Sequence, residues 1–129
     1  MKTVTMLAGA TLAIALAGPA AAGVAGTWRC SAHGPLPMGI LKISGSSYSY
    51  QAVSNTAWAP KPGDRSNGSG AISASGSSVT PASGPLRTVM GLVSGYYGTT
   101  SSPYSGTYEY LDFFRRPNDT YLIRCHRPG

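Results

Sequence analysis

From residue 26 onward, apolar and polar residues alternate with a period of two over short runs, and no long run keeps a helical period. The runs are Gly26–Ala32 (GTWRCSA), Gly39–Ser44 (GILKIS), Ser47–Val53 (SYSYQAV), Gly70–Ala74, Ser78–Ala82, Val89–Val93 (VMGLV), Tyr108–Arg115 and Thr120–Arg127. Gly, Ser, Pro and Asn separate them, as turn residues separate strands. A Ser-Gly-Ser-Ser sequence recurs at Ser44 and Ser75, and its Gly45 and Gly76 suit the left-handed positions of tight hairpins. Two stretches lack periodicity and read as surface loops, Ser54–Gly70 and Gly98–Thr107. The pattern predicts an all-β fold, a small antiparallel meander of about eight strands closed or nearly closed into a barrel. A β-sandwich of two sheets is the alternative.

The first 22 residues stand apart. Lys2, the uncharged run Thr3–Ala17 and the small residues Ala20-Ala21-Ala22 read as a cleaved signal peptide. The run is shorter than the roughly 20 apolar residues a membrane span needs. The expected organisation is therefore a signal peptide (1–22) and a single β domain (23–129). The protein is expected to be secreted or periplasmic, monomeric, and without a transmembrane segment after cleavage.

Composition changes the picture in two ways. Aliphatic residues are sparse, so eight Tyr and two Trp must supply much of the buried surface. The formal net charge is +6 with only four acidic residues. A basic exported domain is drawn to anionic surfaces. The expected partner is an anionic envelope polymer or a protein, and export argues against nucleic acid.

Both cysteines and both histidines lie in two short stretches, CSAH (Cys30–His33) and RCHR (Arg124–Arg127). Cysteine and histidine suit zinc. Adjacent strand residues, however, point to opposite faces, so Cys125 and His126 diverge. In an oxidising compartment a Cys30–Cys125 disulfide is the expected outcome. It ties the first strand to the last, which in turn favours closure, and leaves the histidines partly exposed near the seam with Arg29 and Arg124. No metal and no cofactor are expected.

Catalysis is poorly supported. There is no Gly-x-Ser-x-Gly elbow and no phosphate-loop spacing before a helix. Glu109 and Asp112 are the one close acid pair, and in a strand they face opposite sides. The candidate binding residues are the loop aromatics and cations: Trp58, Lys61, Arg65, Tyr96, Tyr97 and Tyr104. Against this, Trp58 can cap an open barrel end and the tyrosines can pack between strands.

Gly26-Thr27-Trp28 resembles the Gly-x-Trp opening of lipocalin-type barrels, and in the same style Ile123-Arg124 places an arginine near that tryptophan. The likeness covers only these residues and transfers no site. The function expected is an exported, non-enzymatic β domain that binds an envelope or extracellular macromolecule. One alternative is a lipocalin-like inhibitor of a secreted or periplasmic hydrolase, which needs a protruding segment such as Ala57–Arg65. The other is a small-ligand carrier, which needs an apolar internal cavity.

Overall fold

The computed structural model describes residues 23–33, 36–54, 57–104, 106–116 and 119–128. The expected signal peptide lies outside them, as do Pro117 and Asn118, where a turn is expected between the last two runs. Eight antiparallel strands follow one another around a closed barrel: β1 (Gly26–Ala32), β2 (Leu36–Ser44), β3 (Ser47–Ala52), β4 (Gly68–Ser75), β5 (Ser78–Pro81), β6 (Ser94–Ser102), β7 (Gly106–Phe114) and β8 (Ile123–Pro128). The sandwich alternative is excluded, since β1 pairs with both β2 and β8. Gly45 and Gly76 sit in the β2–β3 and β4–β5 turns at φ +61° and +59°, the left-handed region the sequence required. Among the described residues, no helix is long and apolar enough to cross a membrane.

Because strands alternate in direction, the connections fall at two ends. One end carries the tight β2–β3 and β4–β5 turns, the β6–β7 turn and the segment Gly23–Ala25. The other carries the connections after β1, β3, β5 and β7, of which the last three are long.

One expected strand is not a strand. Val89–Val93 belongs to a capping segment that starts with a single helical turn, α1 (Pro85–Thr88). Pro85 stands in the first turn, where its fixed φ favours helix and its missing N–H costs nothing. The Tyr48 hydroxyl donates to the Ser83 carbonyl at 2.7 Å and accepts from the Leu86 N–H at 3.0 Å, which holds the segment over the barrel. Leu86 and Leu92 are then fully buried. The sixth strand lies instead at Ser94–Ser102, and its second half falls in the Gly98–Thr107 stretch that reads as a loop. Its pairing with β7 over its whole length supplies what its side chains lack.

The core is built from inward positions of the alternation: Trp28, Leu41, Ile43, Tyr48, Tyr50, Ile72, Val79, Leu111, Phe113 and Ile123, all buried. Cys30 and Cys125 lie opposite each other in the β1–β8 register and form a disulfide with no exposed surface. The tryptophan of the Gly-x-Trp opening is at the tight-turn end. Its indole N–H donates to the Val24 carbonyl at 2.9 Å, and an arginine lies 4.1 Å above its ring. That arginine is Arg127, not the expected Arg124. The two are three apart in a strand, so they face opposite sides, and the inward parity belongs to Arg127. Arg127 also donates to the carbonyls of Gly23 and Ala25 and to the Glu109 carboxylate.

A protein with Cys30→Ser and Cys125→Ser is expected to lose about 4–5 kcal/mol of stability, the loop-closure value for a bridge between the first and last strands. Urea unfolding of the variant against the oxidised wild type measures it. An unchanged midpoint would mean that the seam closes without the bridge.

Candidate functional site on the barrel seam

Strand β8 sorts its side chains by parity. Ile123, Cys125 and Arg127 point inward, while Arg124 and His126 point outward. The outer face is then organised in rows by register. Arg29 stands opposite His126, and His126 opposite Tyr110. Ser31 stands opposite Arg124, Arg124 opposite Asp112, and Asp112 opposite Tyr96.

Arg124 is the centre of this face. Its Nε–H and Nη2–H groups donate to the Oδ1 and Oδ2 oxygens of Asp112 at 2.6 and 2.8 Å, a bidentate pair. The rings of Tyr110 and Tyr121 lie 4.6 and 4.7 Å from the guanidinium carbon. Tyr121 stacks in turn on His33, with ring centroids 4.2 Å apart, and His33 Nε2 hydrogen-bonds the Tyr121 carbonyl at 2.7 Å. On the other side Tyr96 lies 6.2 Å from Tyr110. Gly98 makes room for that ring, since a β-carbon there would stand 2.7 Å from the Tyr110 hydroxyl. A neighbouring cluster runs from Tyr108, edge-on to His126 at 6.3 Å, to Arg29, which lies 5.1 Å from the Trp58 ring.

The electrostatics follow. Asp112 is the one buried charged residue among those described, and Arg124 compensates it. Asp112 in turn holds the guanidinium in its charged form, above its ordinary range. Burial, with the nearby charge of Arg29, pushes His126 below the usual histidine value. Arg29 and Lys42 add exposed positive charge on β1 and β2. The opposite wall contrasts with this one. Its outward residues on β3–β5 include Ser47, Ser49, Ser69, Ser73, Ser75 and Thr80, small and uncharged.

The six candidate residues do not converge. Trp58 folds back at φ +53° onto the outer wall beside Arg29. Lys61 belongs to an ordered loop at the long-connection end. There Asn67 accepts the Ala52 N–H at 2.7 Å and donates to the Lys61 carbonyl at 2.8 Å, and Lys61 pairs with Asp64 at 3.6 Å. Hydrogen bonds from Ser66 hold Asp64 below the usual carboxylate range. Arg65 is exposed on the same loop. This loop and the Leu36–Met38 lip border a shallow cleft of about 530 Å³, floored by Tyr50 and Val53. Tyr97 points inward and donates to Glu109 at 2.6 Å. Tyr104 is 97% exposed at the β6–β7 turn, at the opposite end from Trp58. Only Tyr96 and Trp58 reach the seam face.

Sequence reasoning missed Tyr108, Tyr110 and Tyr121 there. The signal was available: Tyr108, Tyr110 and Asp112 share one parity in YEYLDFF, as do Arg124 and His126 in IRCHR. The acid pair divides as expected. Glu109 lies inside with Arg127, and hydrogen bonds from Arg127 and Tyr97 hold it below the usual carboxylate range, an ionised partner instead of a proton donor.

These features define a closed, disulfide-tied meander barrel with one aromatic and cationic wall. No protein-family model matches the chain, and neither a curated protein nor a solved structure does.

Arg124→Ala leaves Asp112 buried without its counterion. The cost expected is about 1–3 kcal/mol, below the usual figure for a fully buried pair because part of the Arg124 side chain is exposed. Arg124→Ala combined with Asp112→Asn should recover part of it in urea unfolding. His126 has a lowered folded pKa, so the unfolded chain takes up its proton first. Its contribution is present above the ordinary value of about 6.5 and is lost as pH falls from there through the lowered one. His126→Phe should flatten that slope in thermal melts between neutral pH and about pH 5.

Proposed function

We propose that this is an exported, non-enzymatic binding domain whose seam wall holds an anionic extracellular polymer, an acidic glycan. The observation that carries the reading is the outward stack of Tyr96, Tyr110, Arg124, Tyr121 and His33, flanked by Tyr108, His126, Arg29 and Trp58. These rings are not needed to fill the barrel. They offer flat apolar surface to sugar faces, beside cations for carboxylates. Asp112 is already matched by Arg124, so Arg29 and Lys42 set the sign of the wall. Export is part of the proposal, and the Cys30–Cys125 disulfide is compatible with an extracellular or periplasmic place.

The alternatives have less support. The Ala57–Arg65 segment lies against the barrel at Trp58 and Lys61, which disfavours it as a protruding inhibitory loop. The interior is occupied by Trp28, Phe113 and the aliphatic core, which disfavours an internal carrier.

The test is titration of the disulfide-bonded protein with a size-defined polyuronate and with a neutral glucan. Binding is expected for the polyuronate, falling steeply with salt. Tyr110→Ala and Arg29→Ala should each weaken it about tenfold, equal to about 1.4 kcal/mol, while Tyr104→Ser leaves it unchanged. Equal loss on removing Lys61 and Arg65, which lie off the wall, would reduce the effect to net charge and sink the proposal.

A further inference from the structure

The open side of β6 carries an inference that does not depend on what the seam wall binds. β5 is only four residues long and meets β6 at Ser78 opposite Tyr96. One further bond runs from the Tyr97 N–H to the Ser77 carbonyl at 2.8 Å. Beyond that point β6 continues to Ser102, paired to β7 throughout. In an antiparallel strand the N–H and C=O of one residue point to the same side, and successive residues alternate sides. Tyr97 points toward β5, so Thr99 and Ser101 point the same way, past the end of β5. Among the described residues no strand pairs with them there. Both are exposed.

Such an edge is a template for another strand, and proteins usually guard it with charge, proline or a cover. Here no residue from Ser94 to Tyr108 is charged, in a chain of formal charge +6. Pro103 comes only at the turn.

We propose that this edge pairs with the same edge of a second copy, antiparallel about a two-fold axis at Thr100, to give a homodimer. In that register Thr99 faces Ser101 of the second copy, and Ser101 faces its Thr99. Every backbone N–H and C=O left open at these two residues then has a partner. A register with Thr99 opposite Thr99 instead requires Tyr97, whose N–H is already engaged by Ser77, to pair again. The interface is isologous and closes on itself, so it ends at two copies. The proposal departs from the monomer expected from the sequence.

Sedimentation equilibrium of the disulfide-bonded protein tests this from micromolar to millimolar concentration, with the expected result a reversible dimer. Thr99→Pro should weaken it about tenfold or more. It leaves the β6–β7 hairpin bonded, because the Thr99 N–H does not point to β7. Thr100→Lys, which opposes two ammonium groups at the axis, should dissociate the dimer, and circular dichroism of both variants reports the intact barrel. Thr100→Cys should give a covalent dimer under mild oxidation, since non-hydrogen-bonded cross-strand neighbours lie within disulfide reach. Thr107→Cys on β7 should not. A monomer throughout the range overturns the proposal, as does a dimer indifferent to Thr99→Pro and Thr100→Lys, or one that cross-links at Thr107→Cys instead. Recovery of a monomer with a different protein paired along β6 overturns it too.

Discussion

Closure between the first and last strands is the constraint on which the rest of this barrel depends. The β1–β8 ladder is short, with Arg29, Cys30 and Ser31 facing His126, Cys125 and Arg124. Its inner face is fastened twice. The disulfide joins the strands directly, and Arg127 joins β8 to the Gly23–Ala25 segment, to Trp28 and to Glu109. An arginine so far inside is tolerable because its charge meets an ionised carboxylate, an aromatic face and two backbone carbonyls. Glu109, held ionised by that arginine and by Tyr97, is its necessary counterpart.

Closure also explains how a chain poor in aliphatic residues holds a core. A closed sheet has one interior, and here its strands pair around the whole wall except where β6 outruns β5. A few large rings can fill that interior, with Trp28, Tyr48, Tyr50 and Phe113 taking the place of many smaller residues. The capping segment Pro85–Val93 completes the enclosure at the long-connection end, where Leu86 and Leu92 reach the core and Tyr48 holds the backbone.

The same strands that close the barrel create its polarity. On β7 and β8 the inward residues serve the core and the seam, and the outward ones include Tyr108, Tyr110, Asp112, Arg124 and His126. Two histidines beside two cysteines thus come to lie on the other side of the sheet from the disulfide, among rings and cations. The serine-rich wall on β3–β5 has no such chemistry. A functional surface on this protein is therefore a matter of one wall, and the proposal for β6 is a matter of the place where the wall outruns its neighbour.

The sequence by itself determined the all-β class and most of the strands, the tight turns at Gly45 and Gly76, the disulfide and the divergence of each cysteine from its histidine. These follow from a two-residue side-chain period, the steric freedom of glycine, and the tendency of the two cysteines of an expected exported domain to pair. Tertiary structure decided what local rules leave degenerate. Val89–Val93 is apolar enough for a strand, yet it caps the barrel because Tyr48 and the core receive it there. Gly98–Ser102 looks like a loop, yet it is a strand because β7 supplies its hydrogen bonds. Which arginine covers Trp28, and whether Trp58, Tyr96 and Tyr104 meet, depend on register and on which end of the barrel each connection occupies. Those are relations between distant strands, and a linear pattern does not contain them.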